Sequence, residues 1–283
     1  MGMWITQHEG PLRLSAFLFI FIAMALWELA APRRRLRVTK SWRWLNNAGL
    51  VVVSTVLLRV IFPAAAVGMA VFVQKQGWGL FNYYHWPEPL VIIAVVVIMD
   101  FMIYLQHIMV HAVPLLWRLH RVHHADLDID VTTGARFHPL EIILSMLIKF
   151  AIIALLGAPA VAVIIFEVLL NVTSMFNHSN VRMPVSVDKF LRAFLVTPDM
   201  HRVHHSVEDD ETNSNFGFNL SWWDHLLGTY TAQPRAGHED MQIGIHTFRD
   251  EKLCARLPGM LRIPFIGKVT EYAINRRTWK QGS

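Results

Sequence analysis

The sequence predicts an all-α fold: an integral membrane helical bundle of about four to five membrane helices, including one hairpin, with a cytosolic histidine-rich helical cap. Three observations carry this expectation. Of 283 residues, 54% are hydrophobic and only 17% charged, a balance that ordinary soluble domains do not have. Apolar runs long enough to cross a bilayer recur as far as Phe176. Histidines gather in blocks, and HRVHH occurs verbatim at His120 to His124 and again at His201 to His205.

A transmembrane helix needs roughly 20 apolar residues. Leu14 to Ala31, Ala48 to Val73 and Leu90 to Val110 each qualify. Ile142 to Phe176 is long enough for two crossings if it reverses at Gly157-Ala158-Pro159, where glycine and proline break a helix. The result is a helical hairpin with short legs.

Charge sets the topology. Arg33, Arg34, Arg35, Arg37, Lys40 and Arg43 follow the first apolar run, whereas Met1 to Gly10 carries no Lys or Arg, the reverse of a cleaved secretory signal. Positive-inside placement puts that cluster in the cytoplasm and the N-terminus outside. Counting crossings, Gln74 to Pro89 lies outside, Leu90 to Val110 returns, and the hairpin leaves at Ile142 and returns near Phe176. All the histidine blocks then emerge on the cytoplasmic side. After Asn213 no further apolar run occurs, so the rest is expected to lie over the helix ends. The chain divides into membrane helices (1–113), an overlapping catalytic unit (100–230) that contains the hairpin (142–176), and a cytosolic tail (231–283). The expected location is a bacterial inner membrane, or the endoplasmic reticulum of a eukaryotic cell.

The net charge of +5 does not imply nucleic acid, because the basic residues concentrate beside an apolar run. The single Cys254 excludes a disulfide within the chain, a Cys-ligated iron–sulfur cluster and a thiolate zinc finger. Any metal must be held by nitrogen or oxygen.

Residues three or four apart share a helix face. His107 and His111 therefore point together, as do His120 with His123 or His124 and His201 with His204 or His205. Packing has no use for adjacent histidines twice over, and protonated neighbours would repel. These blocks supply more imidazoles than the four positions of a zinc site and suit two metals. Without cysteine or a Glu-x-x-His pair, neither a soft-metal site nor a carboxylate-bridged helix-bundle site fits. The isolated His8, His85, His238 and His246 carry no such implication.

The series HIMVH, HRVHH and HRVHH, together with RFHPLE, NHSN and NFGFNLSWWDHLLGTY, resembles the fatty acid hydroxylase/sterol desaturase superfamily of integral-membrane di-iron enzymes. The resemblance runs from about Asp100 to Tyr230. It implies two iron ions held by histidines, dioxygen as co-substrate, and hydroxylation or desaturation of a lipid: a sterol, a fatty acyl chain or an alkyl lipid. The ligands it implies are His107, His111, His120, His123, His124, His201, His204 and His205, with His178 of NHSN and His138 of RFHPLE as further positions. His225 is read as structural. Asp126, Glu141, Asn177, Asp199 and Asp224 adjoin the blocks and are candidates to orient the ligands. The lipid is expected to enter from the bilayer. Electrons are expected from an external reductase with a ferredoxin or cytochrome b5-like carrier, because the chain has no CxxCH, no cysteine set and no GxGxxG.

Two cations, Arg59 and Lys149, and two anions, Asp100 and Glu167, fall at similar depth within the spans. Asp100, Tyr104, His107 and His111 follow one helical face, and Glu167, Asn171, Ser174 and His178 repeat the spacing. Each carboxylate is eleven residues, roughly 16 Å, from its cluster histidine. Such groups must pair, so Arg59 and Lys149 are expected to pair with Asp100 and Glu167. Two other functions use the same histidines. One is a zinc-dependent membrane hydrolase or lyase, which the absence of HExxH disfavours. The other is a metal transporter, which calls for ligands at mid-bilayer.

Overall fold

The structure, a computed structural model, describes residues 2–269; the end of the expected C-terminal tail, 270–283, lies outside the described residues. A short helix α1 (Gly2–Gln7) leads into α2 (Glu9–Ala30), α3 (Lys40–Ile61), α4 (Ala65–Gln76), α5 (Leu80–Tyr84) and α6 (Glu88–Ala112). Then follow α7 (Pro114–His124), the hairpin legs α8 (Pro139–Leu156) and α9 (Ala160–Asn177), α10 (Val185–Leu191), α11 (Pro198–His204), α12 (Asp209–Thr212) and α13 (Trp222–Leu227). Among the described residues, β-structure is limited to isolated bridges such as Leu195 to Leu220. Five helical segments are long and apolar enough to cross a membrane: Glu9–Ala30, Lys40–Tyr84, Glu88–Ala112, Pro139–Leu156 and Ala160–Asn177. Their outward faces carry exposed Phe19, Leu29, Val60 and Leu155, the pattern of helices solvated by hydrocarbon. The protein is an integral membrane helical bundle.

The second apolar run differs from a single crossing between Ala48 and Val73. It breaks at Phe62 to Ala64, between α3 and α4, where Pro63 can neither donate to the preceding turn nor fit within it. Helix α4 then packs against α8 and α9. Its Ala66, Val67, Ala70 and Val73 join Val95 and Met99 of α6 and Ala162 and Val163 of α9 in the membrane core. Small side chains permit close helix approach where no hydrophobic force drives association.

The hairpin turns at Gly157, whose φ of +69° is the left-handed conformation that favours glycine at a helix C-terminus. A Cβ on Gly157 would lie 2.6 Å from Trp78 O, and one on Gly79 would lie 2.1 Å from Gly157 N. The hairpin tip is therefore seated on the loop after α4, at the end of the bundle remote from the histidines.

At the histidine-bearing end, the basic segment is folded into the cap. Arg43 is buried, ion-pairing with Asp126 and placing Nε 2.9 Å from Asp130 Oδ2. Asp128 accepts from the backbone N–H groups of Arg37 and Val38 at 2.8 and 2.9 Å. Glu28 accepts from Val131 N and Asn180 N, tying the end of α2 to both histidine-bearing halves. The segment after Asn213 does not simply lie over the helix ends. It runs down beside α6, because Asp100 accepts from Asn219 N, Leu220 N and Trp223 Nε1 at 3.3, 3.2 and 2.7 Å.

That contact corrects one expected ion pair. Asp100 is satisfied by N–H donors, and Arg59 sits exposed in the last turn of α3, where a cation complements the helix C-terminus. The helix ends so close to Arg59 because of Pro63. Lys149 Nζ, in contrast, lies 2.6 Å from Glu167 Oε1. A third member joins them, with Arg13 Nη1 2.9 Å from Glu167 Oε2.

Candidate metal centre

The histidines arrive on four elements. His107 and His111 lie on α6, and a bend at Val113, enforced by Pro114, starts α7 with His120, His123 and His124. His178 terminates α9. Helix α11 carries His201 and His204 and ends at His205. Thr197 starts this helix by accepting from Met200 N at 3.3 Å, with Pro198 in its first turn, a local signal strong enough to fix so short an element.

The side chains form two groups: His107, His111, His120, His124 and His204 in one, and His123, His178, His201 and His205 in the other. Within each, the ring nitrogens offered as ligand atoms all lie within 4.8 Å of one another, and every member is buried. Each HRVHH copy serves both groups. In the first, His120 and His124 go to one group and His123 to the other; in the second, His204 separates from His201 and His205.

Whether these rings suit a metal is decided by their outer nitrogens. His107 Nδ1 faces Phe216 O at 2.8 Å, His178 Nδ1 faces Ser174 O at 2.7 Å, and His204 Nδ1 faces Ser214 O at 2.8 Å. His120 Nδ1 lies 2.6 Å from Glu141 Oε1. An acceptor at Nδ1 puts the proton there and leaves Nε2 a bare lone pair directed inward. Yet His107 Nε2 and His120 Nε2 are only 3.2 Å apart, as are His111 Nε2 and His124 Nε2. In the second group His178 Nε2 is 3.1 Å from His123 Nε2 and 3.0 Å from His201 Nε2. Facing lone pairs repel unless a cation lies between them. Two nitrogens bound to one ion at about 2.1 Å and roughly 90° apart would be about 3.0 Å from each other. His204 Nε2 and both nitrogens of His205 are buried without a hydrogen-bond partner, a cost that metal ligation removes.

Protonation does not compete. Burial, followed by the neighbouring imidazoles, holds His123, His124, His201, His204 and His205 well below the ordinary histidine value. His178 is lowered to about 4, burial being the largest cause. Neutral imidazole is the ligating form. The donor set is nitrogen throughout, which suits iron, copper, nickel or zinc, and its five-membered group exceeds the tetrahedral complement of zinc.

Not every residue expected at the site reaches it. His138 lies outside both groups. Its position before Pro139 forces extended backbone, and its Nδ1 accepts from Leu140 N at 3.2 Å as the N-cap of α8. Of the five residues proposed to orient ligands, Glu141 contacts His120 directly. Asp126 serves Arg43, its carboxyl held below the usual range because the attraction of Arg43 and Arg136 outweighs burial. Asp199 pairs with Arg202 and Arg33. Asp224 accepts from Phe216 N and Gly217 N, both at 2.8 Å, and so braces the carbonyl that faces His107. Asn177 donates to Phe218 O at 2.9 Å. His225 stacks on Tyr230. Asn213, whose Oδ1 is 3.2 Å from His111 Nδ1, was not foreseen, and its only sequence signal is proximity to the second HRVHH.

Beneath the histidines lies a cavity of about 360 Å³. His107, His120 and Glu141 line one part of it, and Phe17, Val51, Leu58, Val110, Ile142 and Met146 supply apolar wall.

The family profile described as fatty acid hydroxylase matches residues 92–229. An ornithine lipid hydroxylase of Rhizobium tropici is 32% identical over 188 residues, 64% of this chain and 56% of that protein. Alkylglycerol monooxygenase of Homo sapiens is 28% identical over 179 residues, 63% of this chain and 39% of that protein. The Xenopus tropicalis alkylglycerol monooxygenase is 25% identical over 219 residues, 74% of this chain and 47% of that protein. The chain thus spans about half the length of the curated relatives it matches. No solved structure shows a significant match.

Proposed function

Residues 92–229 match the fatty acid hydroxylase family, and from that premise we propose that the chain belongs to it and is a membrane di-iron oxygenase that hydroxylates a lipid. The observation that carries the metal reading is the facing of His107 Nε2 and His120 Nε2 at 3.2 Å, with both Nδ1 atoms already committed to acceptors. His107, His111, His120, His124 and His204 would hold one iron; His123, His178, His201 and His205 would hold the other. Bound iron would supply dioxygen activation and the oxidant for an unactivated C–H bond.

The chain's own part is placement and dryness. Phe216 and Phe218 lie against the His107 ring at 5.5 and 5.7 Å, and Phe137 stacks on His123 at 4.4 Å, keeping bulk water from the ligands. Glu141 fixes the His120 ring and its tautomer. The cavity seats the lipid with one end against His107 and His120. The basic segment Arg33 to Arg43 supports a cytoplasmic location for this end of the bundle, where a separate reductase and its carrier would deliver electrons. Both kinds of relative are named for adding oxygen, which favours hydroxylation over desaturation here. A five-nitrogen group and the absence of a free carboxylate among the ligands disfavour the zinc hydrolase or lyase.

Metal content by plasma mass spectrometry tests this. Two irons per chain, one for each histidine group, with metal lost from His123→Ala and His204→Ala, is the expected result. About one zinc, or iron unaffected by either substitution, overturns it.

A further inference from the structure

The cavity under the histidines is charged at the part remote from them. Arg13, Lys149 and Glu167 all line it. Glu167 is shared, with Lys149 Nζ at 2.6 Å on one oxygen and Arg13 Nη1 at 2.9 Å on the other. Two cations therefore meet one anion, and among the described residues no second carboxylate lies within ion-pair distance of either. An excess positive charge within apolar surroundings is costly unless something neutralises it. Glu141 does not: it is two turns along α8 from Lys149, about 12 Å away, and is committed to His120.

The wall between the two parts is also wrong for a plain hydrocarbon tunnel. Ser54 Oγ and Gln106 Oε1 line the cavity and are buried without hydrogen-bond partners. Ser145 and Asn171 line it as well, so that Glu141, Ser145 and Lys149 make one polar stripe along α8, and Glu167, Asn171 and Ser174 another along α9. An alkyl chain would leave Ser54 Oγ and Gln106 Oε1 unsatisfied, whereas the polar end of an amphiphile would complete them. Arg13 is the least buried of the three charges, its side chain 35% exposed against 12% for Lys149 and 4% for Glu167. It is the group with freedom to receive a ligand.

We propose that this cavity binds the polar, anionic end of its lipid, a carboxylate or phosphate, with Arg13 as its principal contact. The carbon presented to His107 and His120 is then fixed by its distance from that anion, and the enzyme measures from the polar end and not from the terminal methyl. This inference rests on the lipid hydroxylase reading.

The test is binding of tritiated palmitate and tritiated hexadecanol, equal in chain length, to the purified full chain in phosphatidylcholine nanodiscs at pH 8. The expected result is a preference for palmitate of about tenfold or more, the effect of one charge-assisted contact. Arg13→Gln, which leaves the Lys149–Glu167 pair in place, is expected to erase that preference while hexadecanol binds as before, and Arg13→Lys to restore part of it. Ser145→Trp, which fills the cavity, should abolish binding of both probes. Equal affinity for the two probes, or a preference that survives Arg13→Gln, overturns the anionic end and leaves the lipid cavity standing. If neither probe binds, the lipid cavity and the hydroxylase reading fall with it.

Discussion

His120 joins Glu141 to the candidate metal centre: its Nδ1 is 2.6 Å from Glu141 Oε1, while its Nε2 is 3.2 Å from His107 Nε2. A carboxylate behind a ligating imidazole fixes the ring and raises its basicity. Glu141→Ala is expected to weaken metal binding or turnover about 10–100-fold. Glu141→Gln keeps an acceptor oxygen and should lose less. Metal titration of both variants checks the order, and equal loss would show that the charge alone matters.

Arg43 is a second point of leverage. It is 1% exposed and is enclosed by Asp126 and Asp130. Removing the cation leaves the buried Asp130 without its ion pair and Asp126 with only Arg136, 3.8 Å away, which costs about 3–5 kcal/mol. Arg43→Met should therefore lower the melting temperature sharply, and adding Asp126→Asn and Asp130→Asn should recover part of it. Detergent-solubilised thermal melts measure both.

Two glycines separate backbone preference from crowding. Gly157 and Gly228 have φ of +69° and +72°, but a Cβ meets Trp78 O at 2.6 Å in the first case and nothing within 4 Å in the second. Gly228→Ala should cost only the left-handed penalty of about 1–2 kcal/mol. Gly157→Ala should cost clearly more, because the hairpin tip must lift from its seat. Denaturation midpoints compared side by side decide this.

His238 gives a pH test away from the candidate ligands. Burial lowers it from 6.5 to about 3, and the attraction of Asp199 does not overcome the effect of Arg202, Arg33 and Arg192. Above pH 6.5 both folded and unfolded forms are neutral, so His238 contributes no slope. As pH falls below 6.5 the unfolded chain takes a proton that the folded one refuses until about 3, and stability is lost across that window. His238→Gln should flatten this loss. A melting difference between pH 7.5 and 5.5 that is the same in both proteins would count against it.

Much of this was legible in the residues, and the failures have identifiable causes. The first and third spans, the reversal at Gly157 and the convergence of the HRVHH copies follow from run length, turn chemistry and helical spacing, whereas the break at Phe62 to Ala64 and the split of each copy between two groups were not foreseen. Most acceptors behind the rings do not, because Phe216, Ser174 and Ser214 act through backbone carbonyls that any residue would supply. His138 resembled a ligand by sequence context, but the following proline committed it to capping α8. The pairing of Asp100 with Arg59 failed because the chain after Asn213 returns beside α6 with its own N–H donors. Arg13 went unnoticed at the very edge of an apolar run.

The division of histidines between the two groups bears on how the molecule is made. His107 to His124 are synthesised well before α11, yet one group needs His204 and the other His201 and His205. Neither nest of nitrogens closes until the chain has been inserted through the hairpin and extended past it. On the proposed metal-centre reading, metal loading would be a final act of biogenesis, a clasp fastening α11 to helices already threaded through the bilayer. A cell starved of the metal would accumulate a fully inserted but unfastened precursor, open to proteolysis at the cap.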